Sequence, residues 1–308
     1  MVLEGPERLS LNELPLSAPT PEDVVVAVDW SGISTGTERL LWEGRMPAFP
    51  GMGYPLVPGY ESVGRVVTAG ENSGRRVGDH VFVPGAKCFG NVRGLFGGAA
   101  SLLVLSGART VPVPSQLGPQ AVLLALAATA QHAIGTPLAR LPDLIIGHGV
   151  LGRLIARLTL VHGGAAPVVW EVNAARRSGA TGYEVIDPQS DSRRDYQSIY
   201  DVSGDPRLLD QLIARLGFGG EIVLAGFYSE PLSFSFAPAF MREARLRVAA
   251  EWKEADLVIA SKLIAEERLS LDDLITHQAV AADAAGAYRT AFGDPSCLKM
   301  VLDWRNHG

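Results

Sequence analysis

The chain has 308 residues and a mass of 32.7 kDa, enough for two domains of ordinary size. Apolar residues make up 47% and charged residues 19%, which excludes an intrinsically disordered chain. With 27 basic and 33 acidic residues the net charge is −6, which disfavours a broad nucleic-acid-binding surface.

Two cysteines, Cys88 and Cys297, are too few for a four-cysteine zinc lobe or a cysteine-ligated cluster, and they fit a reducing compartment. The amino-terminal residues MVLEGPERLSLNELPL lack the basic-then-apolar order of a signal peptide. Residues 121–130 are apolar but too few to span a bilayer. The expectation is a soluble cytoplasmic α/β protein without a transmembrane segment.

In chain order, residues 24–28, 61–67, 77–83 and 101–105 read as strands, with dense Pro and Gly between them. The segment 30–60 is Gly- and Pro-rich yet holds Trp42, Met46, Phe49, Met52 and Tyr54. Solvated loops are seldom so apolar, so it is expected to line a pocket or pack on another domain. From residue 119 the pattern changes. Residues 119–135 read as a helix, 144–147 as a strand and the following residues to 161 as a helix. Further strands are expected at 167–171, 183–186, 198–202 and 221–225, with a helix at 207–216 ended by glycines. Such alternation predicts a parallel sheet covered by helices. Helices at 254–266, 271–276 and 281–292 and a strand at 297–304 complete the chain.

The strongest motif is LIIGHGVLGRLIARL at 144–158. Gly147, Gly149 and Gly152 stand in G-x-G-x-x-G spacing between an apolar strand and a helical pattern. The first allows a tight turn, the second lets the backbone approach a pyrophosphate, and the third lets helix and strand pack closely. The turn His148–Gly149–Val150–Leu151 would then direct its amides at the phosphates. The next strand, PVVWE, ends in Glu171, which can accept both adenosine-ribose hydroxyls and would repel the extra phosphate of NADP. This reading selects NAD. Arg176 and Arg177 nearby are either a clasp for a 2′-phosphate or solvated charges.

These motifs, together with SGISTGTE (31–38), PGYESVGRV (58–66), RRVGDHVF (75–82) and LKMVLDW (298–304), resemble the medium-chain dehydrogenase/reductase superfamily over nearly the whole chain. The resemblance implies an α/β fold in three stretches. Residues 1–120 would form a GroES-like β-rich catalytic domain, 121–255 an inserted Rossmann NAD-binding domain, and 256–308 a return segment completing the catalytic domain. It also implies an active site in the cleft between domains and a homodimer through the Rossmann edge strand. Against the family, the start MVLEGP reads as slightly short.

The departures from zinc-dependent members are specific. Ser34 falls where the family has its first zinc cysteine, Tyr60 at its histidine, and Ala125 near its later cysteine, while Glu61 is retained. Hydroxyl, phenol and methyl groups are poor zinc ligands, so a zinc-free enzyme is expected. More narrowly, residues 31–66, 126–135 and 275–292 are similar to the bacteriochlorophyll-pathway family that oxidises a 1-hydroxyethyl group on a chlorin. That implies NAD-dependent conversion of the C3 1-hydroxyethyl group to acetyl, and transient visits to the photosynthetic membrane surface. Trp42, Met46, Phe49 and Tyr54 would face the macrocycle. Arg39, Arg45, Lys87 or Arg93 would meet its propionate.

Tyr60 is the first candidate beside the reacting oxygen. A phenolate could take the alcohol proton, which requires a nearby cation to lower its pKa; a phenol could orient the alcohol; or the ring could fill the space left by zinc. Glu61 could relay a proton or fix geometry. Ser34, Thr35 and Thr37 could bind substrate or the nicotinamide ribose, or cap the loop. Thr129 matches a family position beside the nicotinamide, and His132, one helical turn on, is a proton relay or a polar seam residue. Two other activities fit these residues: a zinc-free NAD(P)H quinone or enone reductase, and a non-catalytic nucleotide-sensing protein.

Overall fold

The valine run at 24–28 belongs to an eleven-residue strand, Asp23–Ile33, in the computed structural model, which describes residues 1–135 and 139–305. Val24, Val26 and Val28 are buried and alternate with less buried residues, the period of a strand with one face on a core. Ser62–Ala69 pairs along one edge of this strand. Leu102–Ser106 and Met300–Asp303 share the other edge, at Asp23–Ala27 and Trp30–Ile33 respectively. All three pairings are antiparallel, and His277–Val280 adds a parallel strand beyond Met300–Asp303. A smaller four-stranded sheet joins Arg8–Ser10, Val2–Gly5, Leu56–Val57 and Arg93–Gly94. Leu3, Val26, Leu41, Leu56, Leu103 and Tyr288 meet in the core of this unit.

The chain divides into two compact units, Met1–Ala125 with Asp272–Gly308, and Leu126–Leu271. The carboxy-terminal strands complete the first unit's sheet because Met300–Asp303 pairs directly with Trp30–Ile33. Helix Glu254–Ala265 falls in the second unit.

The second unit is built on a six-stranded parallel sheet. In spatial order its strands are Glu184–Ile186, Val168–Trp170, Leu144–Ile146, Tyr196–Asp201, Leu216–Leu224 and Arg245–Val248. The chain order reverses beside Leu144–Ile146, as in doubly wound dinucleotide-binding sheets. Leu144, Ile145, Ile199 and Ile222 are fully buried, as expected for strands covered on both faces.

Several expectations from the sequence are corrected. Residues 271–276 form a turn at Asp272–Asp273, not a helix: Asp273 has a φ of 62°. Leu271 and Leu274 are buried from that loop, which imitates helical spacing. The strand at 77–83 starts only at His80, and Val77 is exposed. The helix at 207–216 is confined to Leu209–Ile213, because Leu216 already pairs with Tyr196 and opens a strand running through three glycines. The apolar segment 30–60 contains a short helix, Thr37–Trp42. Helical structure also begins earlier than residue 119. Ser115–Leu123 breaks at Gly118 and continues as Leu124–Ile134. That makes 20 residues long and apolar enough to cross a membrane, and the apolar stretch within them is mostly buried in the protein, as in a core helix.

Candidate active site

In the first unit, three neighbouring strands set a buried charge pair. Val301 pairs with Gly32, whose N–H donates to the carbonyl of Glu61 at 2.8 Å. Lys299 and Glu61 thus approach from either side of Gly32, and the Lys299 ammonium contacts Glu61 Oε2 in an ion pair. A Cβ at Gly32 would lie 2.2 Å from Glu61 Oε2 and 3.0 Å from Lys299 Cε, so only glycine leaves room for the pair. Lys299 also donates to the Ile33 carbonyl at 3.2 Å. Glu61 is 0% exposed, and its Oε1 has no hydrogen-bond partner among the described residues. Burial raises its pKa, and Lys299 opposes the rise. Sequence reasoning missed Lys299; the signal was a single lysine inside the apolar run CLKMVL.

Tyr60, immediately before Glu61, shares a 2.8 Å hydrogen bond with Ser34 Oγ and is also hydrogen-bonded by Thr37. Its phenol pKa is raised, chiefly by burial and then by the Glu61 carboxylate. Burial and the Glu61 carboxylate both favour the protonated phenol over the phenolate. Glu38, from the first turn of helix Thr37–Trp42, is 1% exposed. It accepts the Ser34 N–H at 3.1 Å and the Tyr288 hydroxyl. Burial pushes its pKa up to about 7, against the lowering effect of those hydrogen bonds. Thr35 is exposed at the same loop.

Ser34, Tyr60 and the buried methyl of Ala125 stand at the positions where the resemblance puts zinc ligands. A serine hydroxyl bonded to a protonated phenol is not a zinc donor set, so these residues do not fit the metal.

The loop expected to offer one apolar wall is divided. Trp42 is 7% exposed, with its ring centroid 5.4 Å from that of Tyr288 and 6.5 Å from that of Phe292. Met46 is also in the core, and the Tyr54 hydroxyl turns inward to the Leu41 carbonyl. Trp42 and Met46 are therefore core residues, while Phe49 is exposed at 38%. Arg39, Arg45, Lys87 and Arg93 are all exposed. Arg39 and Arg45 both pair with Glu43, at 2.7 and 3.2 Å.

In the second unit, strand Leu144–Ile146 passes through the glycine turn into helix Val150–Val161. Gly147 has a φ of 103°, and a Cβ on Gly152 would sit 1.9 Å from the Gly147 carbonyl oxygen. Gly149 faces open space, leaving its backbone approachable. Val150 is buried and Leu151 partly so. Glu171 Oε2 accepts the His148 N–H at 3.0 Å, and Oε1 accepts the Asn173 N–H at 2.7 Å. A carboxylate has about four acceptor directions, so two remain for ribose hydroxyls. The residues fit a dinucleotide. Arg177 is engaged by the Glu171 carbonyl and by Asp187. Thr129 and His132 lie on helix Leu124–Ile134, where His132 Nδ1 is 2.8 Å from Asp256 Oδ2.

Residues 20–115 match the alcohol dehydrogenase GroES-like domain. The chain is 60% identical over 307 residues to 2-desacetyl-2-hydroxyethyl bacteriochlorophyllide A dehydrogenase of Rhodobacter capsulatus, covering 99% of this chain and 98% of that protein. It is 58% identical over 310 residues to the protein of the same name from Cereibacter sphaeroides, with 99% and 98% coverage. Among solved structures, 2R,3R-butanediol dehydrogenase of Bacillus subtilis superposes with a TM-score of 0.82 at 20% identity, over 98% of each chain, a likeness of fold. The chain belongs to the family of 2-desacetyl-2-hydroxyethyl bacteriochlorophyllide A dehydrogenases, within the medium-chain dehydrogenase/reductase superfamily.

Proposed function

We propose that the protein oxidises the C3 1-hydroxyethyl group of a chlorophyllide or bacteriochlorophyllide a to acetyl, in bacteriochlorophyll a biosynthesis, with NAD as the cofactor. The observation that carries this reading is the full-length similarity to two dehydrogenases named for that substrate. When bound, NAD supplies the hydride acceptor. Gly147, Gly149 and Gly152 would hold its pyrophosphate and Glu171 its adenosine ribose. The cofactor puts the reaction in the cytoplasm. A homodimer through the exposed edge strand Arg245–Val248 accompanies the proposal, supported by the resemblance.

The side chains divide the remaining work. The Tyr60 and Ser34 hydroxyls orient the alcohol, and Tyr60 acts as a phenol because burial and Glu61 hold its proton. Glu38, buried behind Ser34, fixes that loop by accepting the Ser34 N–H at 3.1 Å, and burial raises its pKa to about 7. Glu61, next to Tyr60 in the chain, is fixed by its ion pair with Lys299.

The test is turnover of a hydroxyethyl chlorin with NAD, followed by the absorbance change as the acetyl group conjugates with the ring. Turnover should persist after dialysis against a chelator. Absence of turnover, or one tightly bound zinc per chain with activity lost on its removal, contradicts the reading.

Changing Glu171 to Ala is expected to weaken NAD binding about tenfold to a hundredfold, the value of a lost charge-assisted hydrogen bond. NADP binding should fall less, since its 2′-phosphate no longer meets a carboxylate. Titration of both cofactors checks this; a wild-type preference for NADP refutes the role given to Glu171.

A further inference from the structure

Arg153 follows Gly152 directly, on the apolar helix that opens at the glycine turn, and is 3% exposed. A buried guanidinium is costly unless its donors are met. Here the partners are backbone carbonyls. Nε donates to His148 at 3.1 Å, and the terminal nitrogens donate to Arg176 at 3.2 Å, Ser178 at 2.8 Å and Gly179 at 3.3 Å. No carboxylate lies within ion-pair distance of it among the described residues. The connection between strands Val168–Trp170 and Glu184–Ile186 is thereby tied to the first turn of the cofactor helix. Gly179, with a φ of 80°, lies so close that a Cβ there would be 2.5 Å from the guanidinium.

His148 makes the second tie. Its ring pKa is lowered to about 4, mainly by burial, so the imidazole is neutral. The Arg176 carbonyl, 2.6 Å from Nδ1, can only accept, which puts the ring proton on Nδ1. Nε2 is then an acceptor and takes the Tyr183 hydroxyl at 2.9 Å. The His148 N–H is the same group that holds Glu171 Oε2. One network thus joins the phosphate-binding turn, the ribose-binding carboxylate and the loop that follows it.

We infer that Arg153 is a positioning residue that holds Glu171 and the glycine turn in register and so sets the preference for an adenosine ribose with a free 2′-hydroxyl. The inference rests on the NAD reading above. A fixed carboxylate discriminates against a 2′-phosphate, whereas a mobile one can turn away from it. The five-donor fork of arginine matters because one ammonium cannot reach four carbonyls spread over two segments.

The test uses the full-length enzyme and three variants, Arg153→Met, Arg153→Lys and Tyr183→Phe. NADH and NADPH affinities are measured by fluorescence titration and loop exchange by amide hydrogen exchange without cofactor. Arg153→Met and Arg153→Lys should each weaken NADH about tenfold and narrow its advantage over NADPH by a similar factor. Amides at 173–179 should exchange faster. Tyr183→Phe, which removes a single hydroxyl at a partly exposed position, should weaken NADH severalfold, and it carries the test if the Arg153 variants do not fold. Unchanged NADH affinity in the folded variants, or full rescue by Lys, overturns the inference. Wild-type protein that binds neither dinucleotide overturns the cofactor reading itself.

Discussion

Changing Lys299 to Met is expected to destabilise the protein by about 3–5 kcal/mol, the usual cost of removing one partner from a buried ion pair. The variant leaves Glu61, which is 0% exposed, without its ammonium partner and without a hydrogen bond to Oε1. The loss should depend on pH with a definite sign. Burial already raises the folded-state pKa of Glu61, and without Lys299 the rise is unopposed. The folded variant then binds a proton more tightly than the unfolded chain. Its stability therefore falls as pH rises from the ordinary carboxylate pKa, near 4.5, through the raised folded value. Chemical unfolding at several pH values checks both points. The deficit should shrink toward acid, and adding Glu61→Gln to the variant should recover most of it at neutral pH. A deficit of similar size at every pH would show that lost packing outweighs the stranded charge.

Changing Trp42 to Ala is expected to cost about 3–5 kcal/mol of stability, the range for deleting a large core aromatic. Trp42 packs against Tyr288 and Phe292, which are themselves 5.3 Å apart in edge-to-face contact. Tyr288 also donates its hydroxyl to Glu38, so the cavity left by Trp42 would border the ring that holds this carboxylate. Unfolding, NAD affinity and chlorin affinity are to be measured on the same protein. The expected order is an early unfolding transition and a rise in kcat's sensitivity to temperature, with chlorin affinity affected only through the loss of fold. A variant of normal stability that binds NAD normally but chlorin thirtyfold more weakly, about 2 kcal/mol, would return Trp42 to the substrate wall.

Both expectations concern the same small region. Helix Thr37–Trp42 presents Glu38 and Trp42 to the interior, while its exposed side carries Arg39. The strand ends beside it supply Ser34 and the Tyr60–Glu61 pair. Charge, aromatic packing and the hydroxyl pair are therefore coupled, and substitutions here should not be additive.

What was legible in the amino-acid order was local. The turn at 144–158 is read from fifteen consecutive residues, because strand, glycine spacing and helix are one covalent stretch. Gly152 meets the carbonyl of Gly147 whatever the rest of the chain does. The β-branched run at 24–28 likewise reported a strand, though not which of its faces is covered. The family motifs went further and named the substrate class, since they compare whole stretches of sequence. Tertiary structure alone decided the features that depend on pairing between distant segments. Lys299 reaches Glu61 only because Met300–Asp303 and Ser62–Ala69 lie on opposite edges of Asp23–Ile33, in a register that leaves Gly32 between them. A shift of one residue would turn these side chains to the other face. From the sequence Trp42 reads as part of the substrate wall, and the packing of helix Ala284–Gly293 against it placed it in the core. The physical reason is the same in each case: periodicity says which side of an element is apolar, but the partner that covers that side is chosen by contacts far apart in the chain.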